Sequence, residues 1–217
     1  MFRKSFYLVL ILTAGLLFLQ ACNQKDAFQT EYPEVTDNKH LFEIVSVDKV
    51  LSMIENKETG IIVLGFKSCP WCQKLMPYVN QVAKEKNHEV IYYVDIKEMR
   101  DNPESFEHEK YLQMKEKFSA VVDTERDRIN APTTIMLKDG EVLGFHLDTV
   151  RSHVKNDNNI LPPLTSEQET ELLGILRNLF IDMNEWFNAV KNKMIVGVLM
   201  KKLVILFLTF LIVLTFA

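Results

Sequence analysis

Residues 61–77 of this 217-residue chain read IIVLGFKSCPWCQKLMP. Ile61 to Phe66 is a short apolar run rich in β-branched residues, too brief for a helix, so it predicts a buried strand. Cys69 and Cys72 follow, and Pro70 stands where a helix accepts proline as its first residue. The stretch therefore predicts a buried strand that turns directly into a helix with two cysteines at its start.

The spacing of the two cysteines indicates a redox-active pair. The chain has three cysteines, and the third, Cys22, lies near the amino terminus, so no further pair is present to staple the fold. The N-terminus of a helix favours a thiolate, and a second thiol one turn away can resolve a mixed disulfide. We predict that Cys69 is the nucleophile and Cys72 the resolving thiol, with no cofactor beyond their own disulfide.

A metal site is the structural alternative for a Cys-x-x-Cys pair. Structural zinc needs four ligands, usually with a second pair at similar spacing. The five histidines are scattered without such spacing, so we predict no metal site, and copper held by two thiolates is the alternative left open. Lys67 and Lys74 either raise the positive potential around the pair or are ordinary solvated lysines.

The rest of the chain alternates strands and helices. Apolar and alternating runs predict strands at residues 41–47, 61–66, 90–96, 131–137 and 142–147. Helical spacing predicts helices at residues 47–57, from 69 onward, within 97–128, and from 165 to about 190. The order β-α-β-α-β-α-β-β-α predicts a single α/β domain.

Two motifs in this order resemble the thioredoxin superfamily. Pro77 follows the second cysteine of Cys69-Pro70-Trp71-Cys72 by five residues, and Pro132-Thr133 leads through a strand to Lys138-Asp139-Gly140-Glu141. The resemblance implies a thioredoxin-like α/β fold with a central mixed β-sheet flanked by helices. The long span from Asp95 to Pro132 then predicts a helical insertion before the cis-proline strand.

The resemblance also implies a set of site residues: catalytic Cys69, Cys72 and Pro132, and substrate-binding Pro70, Trp71 and Ala131. Pro132 would be a cis-proline facing the cysteines, and the backbone of Ala131 would pair with an extended substrate as an added strand. Val63 departs from the family, because thioredoxins keep a buried aspartate six residues before the first cysteine. The proton relay that such an aspartate supplies is therefore missing.

A narrower resemblance comes from the CPWC motif combined with a lipoprotein-like start and the long insertion. These features resemble the thioredoxin-like bacteriocin accessory proteins of Gram-positive bacteria, which implies help with disulfide formation or maturation in exported peptides. The predicted function is thiol–disulfide exchange with exported proteins or peptides. The alternative is a non-catalytic binding module that uses the same fold to hold a metal or a peptide.

The amino terminus predicts export. Residues 1–21 combine Arg3 and Lys4 with a short apolar run, which is typical of a secretory signal peptide. Leu19-Gln20-Ala21-Cys22 resembles a bacterial lipobox, so we predict lipidation of Cys22, with an uncleaved signal anchor as the alternative. The polar residues 22–40 predict a tether between lipid and domain.

The domain is predicted to span residues 41–193 and to be followed by an apolar tail, residues 194–217. Lys201 and Lys202 interrupt the tail, and charge near the middle of a membrane is costly. The tail predicts either a transmembrane segment or a fusion or read-through artefact.

Charge excludes one class of partner. The net charge is −4, and residues 1–21 and 194–217 hold four of the basic residues and no acidic ones, so the rest carries −8. An acidic surface repels nucleic acid. The predicted partners are exported thiols and disulfides, a membrane redox partner, and the membrane itself through the lipid anchor, at the extracytoplasmic face of the cell membrane.

Overall fold

A computed structural model describes residues 26–192 and residue 194. The predicted signal peptide, the lipidation of Cys22 and nearly all of the apolar tail lie outside the described residues. Within them, no helix combines the length and apolar character needed to cross a membrane.

The elements include the predicted order β-α-β-α-β-α-β-β-α, with an additional helix at each end and two additional short strands. The helices are α1 (Ala27–Glu31), α2 (Val47–Glu55), α3 (Pro70–Glu85), α4 (Lys97–Asp101), α5 (His108–Lys117), α6 (Ser166–Leu179) and α7 (183–192). The strands are β1 (Phe42–Ile44), β2 (Gly60–Gly65), β3 (Ile91–Asp95), β4 (Val122–Asp123), β5 (Arg128–Ile129), β6 (Thr133–Lys138) and β7 (Glu141–Leu147).

Five strands form one mixed sheet in the order β1-β3-β2-β6-β7. Strands β1 and β2 run parallel to β3, β6 runs antiparallel to β2, and β7 runs antiparallel to β6. The predicted mixed sheet flanked by helices is confirmed. The strand order places β2, which leads into the cysteine pair, at the centre of the sheet.

Strand β2 is buried along its whole length because helices cover both faces of the sheet. Ile61 and Val63 point to one face and Ile62 and Leu64 to the other. The disulfide-side core contains both cysteines and includes Leu75, Val79, Tyr93, Leu172 and Leu176. The insertion-side core includes Val50, Met53, Met99, Tyr111, Met114 and Phe118.

The predicted hairpin turn joins β6 to β7. Asp139 and Gly140 both have positive φ, 52° and 80°, as a tight two-residue turn between antiparallel strands requires. A Cβ atom on Gly140 would lie 2.5 Å from the carbonyl oxygen of Ile54. Glycine is needed here for conformation and for space.

The tether prediction is wrong for residues 26–40. Phe28, Tyr32 and Val35 are buried in the disulfide-side core, and Asp26 caps α1 by accepting from the N–H of Gln29. Helix α1 ends at Glu31, so Phe28 packs from the helix, and Tyr32 and Val35 pack from the chain that follows it. We call residues 26–40 the amino-terminal segment.

The insertion contains other elements besides the predicted helices. Residues 96–130, which we call the insertion, contain α4, α5, a 3-10 turn at Ser119–Val121 and the two-stranded ribbon of β4 and β5. The ribbon ends two residues before the Ala131–Pro132 bond. The insertion therefore delivers its last residues directly to the cysteine end of the sheet.

The carboxy-terminal helix is shorter than predicted. Helix α6 ends at Leu179, because Phe180 is extended and its side chain is buried. The ring of His88 hydrogen-bonds to the carbonyl oxygen of Ile181, 3.0 Å away, which fixes the break. Asp182 then accepts from the N–H groups of the next helix and starts α7.

Candidate redox site

The turn between β2 and α3 carries the cysteine pair. Cys69 is the N-cap of α3, Pro70 is the first residue of the helix, and Cys72 lies in its first turn. The two cysteines are joined by a disulfide, with 5.2 Å between their Cα atoms. This is the strand-to-helix arrangement that the sequence predicts.

The surroundings of the Cys69 sulfur favour a thiolate. Its Sγ accepts the N–H of Cys72 at 3.1 Å, and it sits at the N-terminal end of a 16-residue helix. Unpaired N–H groups and the helix dipole both stabilise negative charge at that end. The geometry suits Cys69 for the nucleophilic position.

The Cys72 sulfur is enclosed behind the pair. A Cβ atom placed on Gly65 would meet it at 3.4 Å, the Tyr93 ring at 3.2 Å and the Met76 methyl group at 3.3 Å. Gly65 thus leaves room for the sulfur between strand and helix. Cys69 and Cys72 are 2% and 0% exposed in the disulfide form, so hydrogen bonding distinguishes them more than burial does.

Val63 is fully buried in the disulfide-side core, at the position where the family keeps an aspartate. The polar groups nearby are the Tyr32 and Tyr93 hydroxyls, which form a buried hydrogen bond of 2.6 Å. Burial raises the pKa of both phenols, so both stay protonated. The two tyrosine hydroxyls therefore remain neutral hydrogen-bonding groups in this core and do not replace an ionised aspartate.

The Ala131–Pro132 peptide bond is cis, as the resemblance implies. The carbonyl oxygen of Ala131 lies 3.6 Å from the Cys69 Sγ, so the proline loop faces the pair. Thr133 donates its hydroxyl to the carbonyl of Asn130 at 2.8 Å and holds this loop. No hydrogen bond among the described residues uses the N–H of Ala131, which leaves that group open to an extended partner.

Pro70 is exposed, while Trp71 is half-buried beneath the loop that follows β7. The indole N–H of Trp71 donates to the carbonyl oxygen of His153 at 3.2 Å. The ammonium group of Lys155 lies 5.5 Å from the centre of the indole ring. The loop therefore holds Trp71 in place beside the cysteines.

His153 is a positioning residue that the sequence analysis missed. It is buried, and its ring nitrogens hydrogen-bond to the Thr149 hydroxyl and the Pro162 carbonyl, each at 2.8 Å. One ring thereby joins both ends of the loop over Trp71. A single histidine in a polar stretch gives no periodic signal, so no sequence pattern pointed to it.

Lys67 and Lys74 are neither free positive charges nor simply solvated. Lys67 lies 3.5 Å from the Glu31 carboxylate, and Lys74 lies 2.5 Å from that of Glu34. Both acids belong to the amino-terminal segment, so the segment offsets the positive charge near the motif. Among residues 26–192, no group of three or more His, Cys, Asp or Glu side chains is placed to hold a metal ion.

The described residues have a thioredoxin-like fold. The sheet order, the cysteine pair at a helix start and the facing cis-proline support this description. No protein-family model and no curated protein sequence matches the chain.

Two similar solved structures have thioredoxin folds. One is a candidate oxidoreductase with a thioredoxin fold, 12% identical, with a TM-score of 0.35, covering 50% of this chain and 83% of that one. The other is the oxidised thioredoxin from Plasmodium falciparum, 15% identical, with a TM-score of 0.33, covering 61% of this chain and 98% of that one.

Proposed function

We propose that the protein is an extracytoplasmic thiol–disulfide oxidoreductase that exchanges the Cys69–Cys72 disulfide with exported proteins or peptides. The observation that carries the proposal is the placement of Cys69. Its sulfur caps a helix N-terminus and faces the carbonyl of Ala131. The proposed nucleophilic sulfur thus lies next to the backbone of Ala131, with which a substrate strand could pair.

In the oxidising direction, a substrate thiolate attacks the Cys69 sulfur and breaks its bond to Cys72. Cys72 leaves as a thiolate and takes up a proton, and the substrate is held in a mixed disulfide. A second substrate thiolate then attacks the substrate sulfur and releases Cys69 as a thiolate, which the Cys72 N–H stabilises. Two electrons pass from substrate to protein.

In the reducing direction the same steps run backwards. The Cys69 thiolate attacks a substrate disulfide, and Cys72 loses its proton and closes the ring. The direction depends on the reduction potential of the pair relative to its compartment. A potential near −270 mV, where thioredoxin lies, would argue against an oxidant role.

The substrate is expected to lie along the cis-proline loop. The open N–H of Ala131 can pair with an extended segment, as in strand addition. Pro70 and Trp71 follow Cys69 in the first turn of α3 and are proposed to contact the same segment. Pro132 completes the proposed catalytic group by holding the Ala131 carbonyl against the sulfur.

Turnover tests the proposal directly. The purified full chain should exchange a model peptide disulfide, and Cys69→Ser should abolish turnover because the attacked sulfur is gone. Cys22→Ser is a matched control, since the same substitution outside the site should leave turnover intact. Full activity of Cys69→Ser would contradict the proposal. Tightly bound copper without turnover would favour the binding module instead.

The proposed location has its own test. The signal-like residues 1–21 and the lipobox-like Cys22 support anchoring at the extracytoplasmic face of the membrane. Metabolic labelling with a fatty acid should mark the wild-type chain and leave Cys22→Ser unlabelled. Equal labelling of both chains would contradict lipidation at this cysteine.

A further inference from the structure

A cleft of about 710 Å³ opens beside the redox site. Trp71 and Ala131 form its edge toward the cysteines. The insertion forms one wall, and the loop after β7 together with α6 forms the other. A substrate strand that paired with Ala131 would lie at the edge of this cleft.

Four arginines line the cleft, although the chain is acidic overall. The insertion supplies Arg100, Arg126 and Arg128, and the loop supplies Arg151. Two of the four are already engaged within the protein. Arg100 is paired with Asp101 and stacks on Phe66, and Arg126 lies 3.4 Å from Asp123.

Arg128 and Arg151 differ from Arg100 and Arg126. The Nε of Arg128 is buried and has no hydrogen-bond partner. A guanidinium N–H that is shielded from water without a partner carries a desolvation cost, so it is normally satisfied by some acceptor. Arg151 is exposed. Within residues 26–192, neither arginine lies within ion-pair distance of a carboxylate.

Two carboxylates also line the cleft, and neither forms an ion pair with Arg128 or Arg151. Glu171 is on α6, in the opposite wall, and is exposed. Asp148 is exposed, beside His146, and desolvation raises the pKa of its carboxyl group. Neither Glu171 nor Asp148 lies within ion-pair distance of an arginine in residues 26–192, so the cleft retains capacity for an acceptor from outside.

We propose that this cleft binds an acidic segment of the substrate protein, with Arg128 and Arg151 as ligands for a carboxylate near the substrate cysteine. The inference rests on the proposed function, because it takes the substrate strand to lie along Ala131. Arg128 stands three residues before Ala131, within about 11 Å along the chain. A carboxylate within about three residues of the substrate cysteine reaches that distance.

Charge favours a short acidic segment over a long polyanion. Interactions between charges are screened beyond about 8–10 Å at physiological salt, so a single carboxylate experiences the local arginines. A nucleic acid would extend over the acidic remainder of the surface and be repelled. The guanidinium group also matches a carboxylate geometrically, because it presents parallel N–H donors to two oxygens.

The test compares two peptide disulfides that differ by Glu or Gln two residues from the cysteine. We expect the full chain to exchange the Glu peptide with a kcat/KM about tenfold higher at low salt, and added salt should reduce the ratio. Arg128→Gln and Arg151→Gln should each lower the ratio toward one, and Arg128→Lys should retain part of it. Arg177→Gln, on the outer face of α6 and paired with Glu85, should keep the wild-type ratio.

Binding without chemistry separates this inference from the proposed function. Fluorescence anisotropy of labelled peptides in which serine replaces cysteine should show tighter binding of the Glu form, lost in Arg151→Gln. If neither peptide disulfide is turned over but this preference holds, the cleft assignment stands and the redox function fails. Equal kcat/KM values together with equal affinities for the Glu and Gln peptides would overturn the cleft assignment.

Discussion

The amino-terminal segment (26–40) and the insertion (96–130) pack on opposite faces of the sheet. The segment buries Phe28, Tyr32 and Val35 in the disulfide-side core, behind Cys72. The insertion buries its apolar side chains in the insertion-side core and sends Arg128 to the cleft in front of the pair. The segment supports α3 from behind, and we propose that the insertion contributes to substrate binding in front of the pair.

The two regions also differ in how they use charge. Glu31, Glu34 and Asp37 of the segment lie next to lysines of the motif and of α3. The Gln73 amide further donates to the carbonyl oxygen of Glu31 at 2.8 Å. The insertion also contains ion pairs, as in Arg100–Asp101 and Arg126–Asp123, but the Nε of its Arg128 is buried without a partner. That unsatisfied donor is the observation on which the proposed ligand site rests.

The largest expected effect contrasts two phenylalanines. Phe28 is 2% exposed and stacks on Tyr32 and Phe42, so Phe28→Ala should lower the free energy of unfolding by about 3–5 kcal/mol. Phe106, in the insertion, is 89% exposed, and Phe106→Ala should change it by less than about 0.5 kcal/mol. Urea denaturation of both variants measures the contrast. Equal losses would remove the distinction between the two regions.

A smaller effect comes from the buried hydroxyl pair. Tyr32→Phe or Tyr93→Phe alone leaves the other hydroxyl without its 2.6 Å partner, which should cost about 1–3 kcal/mol. The double variant removes both hydroxyls, so its loss should fall short of the sum of the single losses by about 1 kcal/mol. Denaturation of all three variants tests this coupling. Strict additivity would show that the two hydroxyls do not stabilise each other.

The smallest effect concerns acid stability of the insertion. Hydrogen bonding to Arg100 lowers the pKa of Asp101 to about 2. The folded chain thus binds the proton less readily than the unfolded one, so the contribution of Asp101 to stability is present above its ordinary pKa of 3.8 and is lost as the pH falls toward 2. Because the pair is partly exposed, Asp101→Asn should cost about 1 kcal/mol or less at neutral pH.

The same variant should flatten the pH dependence of unfolding between pH 4 and pH 2. Thermal unfolding of both chains across this range measures the difference. A wild-type slope retained in Asp101→Asn would show that another group carries the acid sensitivity.

The sequence predicted the redox pair better than its surroundings. Cys69 and Cys72 could be placed because a β-branched run predicts the strand before them and Pro70, between them, marks the start of the helix. The prediction of a tether was wrong for the amino-terminal segment because its polar composition hid three apolar residues that pack in the core. Only Phe28 among them lies on the short helix α1, so the segment has no helical periodicity that would have marked it.

Other parts of the site depend on distant contacts that leave no local pattern. His153 holds the loop over Trp71 through partners on both sides of that loop. Arg128 reaches the cleft because the short ribbon of the insertion turns toward the cis-proline. Two-residue strands are too short to show alternation, so the helical prediction for the insertion missed the ribbon.

Trapping of the mixed disulfide tests the central claim most directly. The full chain carrying Cys72→Ser, incubated with a peptide disulfide, should accumulate a covalent adduct through Cys69, because the resolving thiol is absent. The chain carrying Cys69→Ser should form little or no adduct at Cys72, because the N-cap position and the hydrogen bond from the Cys72 N–H, which favour a thiolate, belong to the Cys69 sulfur. Mass spectrometry of the two variants measures both outcomes. An adduct that forms as fast on Cys69→Ser would contradict the assignment of Cys69 as the attacking sulfur.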